Sequence, residues 1–208
     1  ADGRIRAVRD TSPDIAVDDP LAPDVTGVEC GNGVVIDHAD GWRTQYCHMR
    51  LGSIRVRPGE KIARGDVLGL VGLSGNTQFP HVHLQLSKDG SIVDPFHPGT
   101  LTTCGDETEN LFVPAIAYSP GGLMAAGFAT SAIGFDEVRN GPAKIETLPT
   151  DAAAITFWGY FFGLRKGDRI EMSIRQPDGC ILVEQTYEVE RPRAVAYRLT
   201  GKKRSRAG

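Results

Sequence analysis

The sequence predicts an all-β protein with two domains, and three observations support this prediction. The 208 residues include 25 glycines and 13 prolines, a density that interrupts long helices and suits short strands joined by tight turns. Short apolar runs alternate with turn signals along the chain. Strong helix formers are sparse, and only the patch Leu123–Ala126 has the composition for a turn of helix. The length accommodates two modest domains.

Composition and charge exclude several classes of protein. Hydrophobic residues make up 40% and charged residues 24%, which is ordinary for a globular protein. A formal charge of -3 gives no reason to expect nucleic acid as a partner. No apolar run approaches about 18 residues, so no transmembrane segment is predicted. The sequence starts at Ala1 without a methionine or a signal peptide, and we therefore expect a processed, trimmed or partial protein. The sequence does not predict an oligomeric state.

The first predicted domain covers residues 1–98 and consists of strands. An apolar run ending at Ile36 is followed by Asp40-Gly41, a strong hairpin signal, and by a return strand from Trp42 to Met49. Further strands are predicted at Val67–Gly72 and, after Pro80, at His81–Leu86.

Four cysteines permit disulfides if the compartment is oxidising. A two-residue turn in the hairpin would put Cys47 opposite Val34, so a Cys30–Cys47 bridge needs the chain to fold back around Gly31. The other two, Cys104 and Cys180, could bridge the linker to the second domain. The alternative is that these cysteines are buried free thiols.

The second predicted domain covers residues 111–208, after a linker at 99–110 that is rich in threonine, glycine and acids. Ile155–Phe162 is an aromatic strand, and Arg169–Ile174 alternates polar and apolar residues as a half-buried strand does. Strands at this spacing predict a small β-sandwich-like domain. The basic tail that begins at Gly201 is predicted to be mobile.

Histidines in two places predict a chemical site. His81 and His83 are two residues apart on a predicted strand, so their side chains share a face, with Cα atoms about 6.5 Å apart. Tyr46 and His48 repeat this spacing on another strand. Two imidazoles on one face can address a single small site, one binding a metal and one facing a substrate.

A series of motifs then resembles the lysostaphin/LytM-type (M23) metallopeptidases. The match runs in order over residues 1 to about 98, close to half the chain. The motifs are Gly31–Gly41, Thr44–Met49, Val56–Gly59, Gly65–Gly69, Gly72–Thr77, Pro80–Leu84 and Val93–Pro95. The resemblance implies a LytM-type antiparallel β-sheet domain.

The resemblance also implies roles for four residues. His83 corresponds to a zinc ligand, and His81 and His48 correspond to the two catalytic histidines, which orient or deprotonate the attacking water. Zinc suits this work because it lowers the pKa of bound water to about 7 and polarises the scissile carbonyl. Tyr46 is expected either in the second shell or lining the substrate groove, with a packing role as the alternative.

One part of the family pattern is missing. The family's other two zinc ligands come from an H-x-x-x-D motif that lies upstream of a segment like the one at Ala1, and no histidine precedes His38 here. Either the sequence is a fragment, or the domain has lost its metal. Asp10 or Asp14 could substitute as ligands, although no spacing argument supports either. His38 itself is predicted to be structural.

The resemblance predicts a zinc-dependent endopeptidase that hydrolyses peptide bonds of bacterial peptidoglycan in the cell envelope, periplasmic or secreted. Its expected partners are peptidoglycan peptides. The alternative is a degenerate, non-catalytic envelope module that binds peptidoglycan or activates another cell-wall hydrolase. A third hypothesis is a binding protein whose working part is the C-terminal domain.

Overall fold

The structure is a computed structural model of the chain, and it describes residues 1–99, 110–141, 145 and 147–204. The chain divides into two compact units, Ala1–Tyr118 and Ser119–Gly208. Regular structure is almost entirely β, in antiparallel sheets, which confirms the predicted fold class. Most of the predicted linker lies outside the described residues, so the predicted domain boundaries stay predictions. Cys104 also lies outside them. Within the described chain, no helix has both the length and the apolar character that crossing a membrane requires.

Six strands form the sheet of the first unit. They are β1 (Gly3–Arg9), β2 (Asn32–Asp37), β3 (Trp42–Met49), β4 (Lys61–Ile62), β5 (His83–Lys88) and β6 (Ser91–Val93). Their spatial order is β4-β1-β2-β3-β5-β6, and every pair is antiparallel. One face carries the core, in which Ile5, Val34 and Ile36 are almost fully buried. Each such side chain contributes about 1.5–3 kcal/mol on burial, so this cluster holds the central strands together.

The hairpin between β2 and β3 differs in register from the prediction. Residues Ala39–Gly41 form a three-residue 3-10 turn in which Gly41 has a left-handed φ of 74°. A three-residue loop shifts the pairing by one position relative to a two-residue loop. Val34 therefore pairs with Tyr46, and the predicted pairing with Cys47 is wrong.

A bulge at the other end of the same hairpin explains the disulfide. A side chain at Gly33 would approach the carbonyl oxygen of Tyr46 to 2.5 Å and the sulfur of Cys30 to 2.9 Å, so only glycine fits there. The chain turns back at Gly31, whose φ is 61°, and Cys30 and Cys47 form a disulfide with a Cα–Cα distance of 4.8 Å. Of the alternatives left open by the sequence, the bridge is the one that forms.

Two predicted strands of the first unit differ from the prediction. The segment Val67–Gly72 contributes only an isolated bridge between Val71 and Met49. Its other hydrogen bonds go to residues outside the strands: the Leu68 carbonyl accepts from the N–H of Arg55, and the Leu70 N–H donates to the Ser53 hydroxyl. The strand predicted at His81 starts two residues later, at His83. His81 therefore lies in the extended segment that leads into β5.

Among its described residues, the second unit contains five strands, one short helix and two apolar clusters. The elements are β7 (Gly122–Ala129), α1 (Phe135–Arg139), β8 (Ala154–Leu164), β9 (Arg169–Arg175), β10 (Ile181–Glu188) and β11 (Arg193–Lys203). They form a three-stranded sheet, β11-β8-β7, and a two-stranded sheet, β10-β9. One cluster packs Ile170 and Met172 against Leu164 and Ala196, so it joins the two sheets, and another packs Trp158 against the helix region.

Two local predictions for this unit are wrong. The patch Leu123–Ala126, predicted as the one candidate for a helical turn, lies in β7 and pairs with β8, because the sheet hydrogen bonds outweigh the helix propensity of its leucine, methionine and alanine residues. The basic tail was expected to be mobile from Gly201, yet Gly201–Lys203 pair with Ala154–Thr156. Residues 205–208 lie outside the described residues. The alternation predicted for β9 is confirmed, since its burial alternates residue by residue.

Candidate active site

Three histidines converge where β3 ends and β5 begins. His48 is the penultimate residue of β3, and His83 opens β5, where it pairs with Cys47. The ring centroids of His48 and His81 are 4.9 Å apart, and those of His48 and His83 are 5.4 Å apart. The structure therefore brings together the three histidines that the sequence singled out. Their individual catalytic and metal-binding roles stay predictions.

The backbone of His48 is held in an unusual conformation. Its φ is 59°, in the left-handed region that costs a residue with a side chain about 1–2 kcal/mol. The His48 N–H donates to the carbonyl of Cys30 at 2.9 Å, and the N–H of Gly72 donates to the His48 carbonyl at 2.9 Å. These bonds, next to the disulfide of Cys47, fix a conformation that would otherwise be disfavoured.

This left-handed residue changes the prediction for Tyr46. Strand alternation alone would put Tyr46 and His48 on the same face, but the φ of His48 interrupts that alternation. Tyr46 is partly buried and packs against the apolar core of the sheet, whereas His48 faces the other two histidines. Of the roles considered for Tyr46, packing is therefore the one that a contact in the structure supports. A role in the substrate groove or second shell stays a prediction.

The side chain of His48 is set up to act through one nitrogen. His48 is 4% exposed, and its Nδ1 lies 2.8 Å from the carbonyl oxygen of Ser74. A carbonyl oxygen only accepts, so Nδ1 carries the proton and Nε2 keeps its lone pair in the neutral ring. Burial lowers the pKa of His48 below its usual range, and nearby His81 and His83 lower it further, against the opposing effect of the Ser74 bond. The neutral, proton-accepting form is therefore favoured.

His81 is anchored in a similar way. Its Nδ1 lies 2.9 Å from the carbonyl oxygen of Phe79 and 3.2 Å from the hydroxyl of Thr77. The Thr77 hydroxyl itself donates to the Phe79 carbonyl at 2.8 Å, which orders the short segment before β5. In the neutral ring, Nε2 of His81 is consequently the free acceptor. His83, by contrast, is exposed.

The described residues do not by themselves fit a catalytic zinc. Such a site needs about three protein ligands, and no group of three or more His, Cys, Asp or Glu side chains among residues 1–99, 110–141, 145 and 147–204 is arranged to hold a metal ion. Of the two acids considered as substitutes, Asp10 accepts from the N–H of Gly52 at 2.7 Å and Asp14 from the N–H of Leu73 at 2.8 Å. Each carboxylate therefore hydrogen-bonds to the backbone of a loop.

His38 has the structural environment predicted for it. Its Nδ1 lies 2.8 Å from the carbonyl oxygen of Asp2, and its Nε2 lies 2.8 Å from the hydroxyl of Thr44. Both ring nitrogens therefore have partners at the far end of the hairpin. No sequence pattern indicated a role for Asn32 or Ser74, two fully buried polar residues beside His48. Ser74 lies in the Gly72–Thr77 motif, and nothing in that pattern showed which backbone groups it would meet.

Comparison with known proteins identifies relatives of the first unit. The sequence model of peptidase family M23 matches residues 17–95. Peptidoglycan DD-endopeptidase ShyA of Vibrio cholerae is 41% identical over 64 residues, which are 31% of this chain and 14% of that protein. Cell division protein DipM of Caulobacter vibrioides is 32% identical over 68 residues, 33% of this chain and 11% of that protein. This chain therefore covers less than a fifth of the length of either relative.

Two solved structures are also similar to part of the chain. A single-residue variant of the catalytic domain of the prophage-encoded M23 protein EnpA from Enterococcus faecalis is 28% identical, with a TM-score of 0.35. The match covers 49% of this chain and 65% of that domain. A zinc-containing peptidase from Vibrio cholerae is 26% identical, with a TM-score of 0.34, over 45% of this chain and 24% of that one.

Proposed function

Because residues 17–95 belong to peptidase family M23, we propose that this chain is part of a zinc-dependent endopeptidase that hydrolyses peptide bonds of bacterial peptidoglycan. The observation that carries the proposal is the convergence of His48 and His81, each with Nδ1 bonded to a backbone carbonyl and Nε2 left to accept a proton. The substrate class is supported by relatives such as ShyA, a peptidoglycan DD-endopeptidase.

In this proposal, His48 and His81 carry out the proton transfers. With both rings neutral, either Nε2 can take a proton from an attacking water and return it to the leaving amine. The lowered pKa of His48 keeps its ring neutral near neutral pH, so that Nε2 can accept a proton. A protonated ring could not act as the base. His81 lies within 4.9 Å of His48, centroid to centroid, so both rings can address one peptide bond.

His83 is the proposed zinc ligand, and the remaining ligands are proposed to come from outside the described residues. When bound, zinc would polarise the scissile carbonyl and lower the pKa of a bound water. His83 suits ligation because it is exposed beside the other two imidazoles. The described residues alone do not complete this site, so the proposed proton transfers are derived from the histidines only.

The cell envelope, periplasmic or secreted, is the proposed location. The Cys30–Cys47 disulfide supports it, because disulfides persist in oxidising compartments and are rare in the cytosol. Peptidoglycan is also found there, so the proposed substrate and the disulfide indicate the same compartment.

A second candidate function is a non-catalytic envelope module that binds peptidoglycan or activates another hydrolase. One observation favours it, namely that no three-donor metal group exists among the described residues. The two candidates differ in what His83 does. A module without metal has no chemical need for that imidazole.

The test uses the whole gene product that carries this sequence, in unsubstituted form and as His83→Ala. We expect the unsubstituted protein to hold one zinc and to release peptides from purified peptidoglycan, as measured by elemental analysis and mass spectrometry. The His83→Ala variant should lose both zinc and hydrolysis. The control His97→Gln should retain both, because His97 follows the matched residues 17–95 and its only described bond, from its N–H to the Asp94 carbonyl, belongs to the backbone. Absence of zinc and of hydrolysis in the unsubstituted protein would replace the peptidase by the non-catalytic module.

A further inference from the structure

Ser74 links His48 to the buried backbone of the first unit. Its carbonyl oxygen is the partner of His48 Nδ1, at 2.8 Å. Its hydroxyl accepts from the N–H of Asn32 at 2.9 Å and donates to the carbonyl of Met49 at 2.7 Å. The residue is fully buried. One residue thus holds the imidazole through its backbone and is itself held through its side chain.

The side chain of Asn32 extends this network to a third segment. Its Oδ1 accepts from the N–H groups of Thr11 and Ser12, at 2.8 and 2.7 Å. Its Nδ2 donates to the carbonyls of Ser12 and Met49, at 2.7 and 3.2 Å. All the hydrogen-bonding groups of this fully buried amide are used. The anchor of Ser74 therefore cannot shift without leaving a buried polar group unpaired.

Close backbone packing fixes the position of the Ser74 carbonyl. A side chain at Gly31 would lie 2.5 Å from the Ser74 oxygen, and one at Gly75 would lie 2.3 Å from the carbonyl oxygen of Glu29. Gly75 also has a φ of 82°, which favours glycine. The two loops meet backbone to backbone, so no flexible side chain separates them.

We propose that Ser74 is a positioning residue for His48: its carbonyl holds the ring in the Nδ1–H tautomer, and its buried hydroxyl holds that carbonyl in place. The inference rests on the proposed function for its catalytic consequence, since the tautomer affects turnover only where Nε2 of His48 exchanges a proton. Its structural part stands separately. Any experiment must therefore read the tautomer and the turnover independently.

The variant that tests this is Ser74→Ala, which removes the hydroxyl and keeps the carbonyl. The N–H of Asn32 is then buried without a partner, so the loop must move to satisfy it and the bond to His48 is lost. Ser53→Ala is the matched control. The Ser53 hydroxyl likewise accepts from a backbone N–H, that of Leu70 at 3.0 Å, and donates to a backbone carbonyl, that of Arg50 at 2.7 Å, without contacting Ser74.

The first readout is the tautomer of His48 in the ¹⁵N-labelled, metal-free chain, from multiple-bond ¹H–¹⁵N spectra assigned with His48→Gln. At about two pH units above the ordinary imidazole pKa, we expect Nδ1–H in the unsubstituted chain and in Ser53→Ala. Ser74→Ala should show a mixture dominated by Nε2–H. A dominant Nε2–H signal in the unsubstituted chain would overturn the inference without any variant, and an unchanged Nδ1–H signal in folded Ser74→Ala would do so directly.

The second readout is peptidoglycan hydrolysis by the whole gene product. We expect Ser74→Ala to lower kcat about 100-fold with little change in KM, because the base is misplaced while the groove is intact. An unchanged kcat alongside a lost tautomer would overturn the catalytic part of the inference. If the unsubstituted protein does not hydrolyse peptidoglycan, the proposed function fails, and the tautomer alone decides whether Ser74 positions His48.

Discussion

The two units of this chain use their buried polar residues differently. In Ala1–Tyr118, the buried residues Asn32, His48 and Ser74 are joined in one hydrogen-bonded network around the candidate active site. In Ser119–Gly208, the buried residues are mainly aromatic and aliphatic, and the buried hydroxyl of Thr200 finds no hydrogen-bond partner among the described residues. Buried polar groups thus form one network in the first unit, whereas in the second unit at least one of them has no described partner.

This difference shows what each core achieves. Apolar burial stabilises a unit without fixing any one atom closely, since it is non-directional and scales with area. Hydrogen bonds between buried groups are directional, and losing one partner leaves the other unsatisfied. The first unit therefore has the interactions that a site with placed imidazoles needs. The interactions in the second unit stabilise it without placing any catalytic side chain. The catalytic proposal therefore gives this unit no role.

The largest stability effect is expected from Trp158→Ala in the second unit. Trp158 is 5% exposed, and it fills the space left by Gly127 on the neighbouring strand. Removing so large a buried side chain should lower the free energy of unfolding of this unit by about 3–5 kcal/mol. Denaturant unfolding would measure the loss, and ¹⁵N spectra should show the His48 tautomer unchanged. A changed tautomer would contradict the separation of the two units' roles.

Loss of the Cys30–Cys47 disulfide should have the next largest effect. The two cysteines are 17 residues apart, so a loop of this size predicts a loss of about 2–4 kcal/mol in the double variant Cys30→Ser, Cys47→Ser. Hydrolysis by the gene product should fall as well, because Cys47 precedes His48 and the Cys30 carbonyl accepts from the His48 N–H.

The control for the disulfide is Cys180→Ser in the second unit. Cys180 is exposed and forms no disulfide with a described residue. A surface substitution of this kind should change the free energy of unfolding by no more than about 0.5 kcal/mol. Thermal unfolding of both variants tests this prediction. An equal loss of stability in the two variants would contradict a specific role for the disulfide.

The smallest effects sharpen the contrast between paired and unpaired polar groups. Asn32→Ala removes the acceptor for the N–H groups of Thr11 and Ser12 and the donor to the carbonyl of the buried residue Met49, and it should cost about 1–3 kcal/mol. Thr200→Val removes a buried hydroxyl that has no described partner and should be neutral or slightly stabilising. Denaturant midpoints of the two variants provide the test. A comparable destabilisation by Thr200→Val would show that polar burial in the second unit is organised after all.

Much of the fold was predictable from local pattern. The strand Trp42–Met49 has the predicted bounds, because a β-rich run after a turn signal needs no distant information. The register of its hairpin was not predictable to one residue, since a two-residue and a three-residue loop can both end at Gly41 with a left-handed φ. Leu123–Ala126 was misassigned because pairing with β8 is a long-range interaction.

The candidate site was predictable in its residues and not in its geometry. The spacing of His81 and His83, with His48, identified three side chains that the structure brings together. Strand alternation does not account for the pair Tyr46 and His48, because His48 has a left-handed φ, and His81 precedes the strand on which it was predicted. Ser74 is 42 residues from Asn32 and 26 from His48, so no local pattern could show their contacts.

The most direct test of the proposed chemistry is the rate of peptidoglycan hydrolysis by the whole gene product carrying His48→Gln. If His48 exchanges the proton through Nε2, hydrolysis should fall by about 10²–10⁴-fold while zinc content and thermal unfolding stay as in the unsubstituted protein. A rate within a few-fold of the unsubstituted protein, from a folded variant that keeps its zinc, would contradict the proposal.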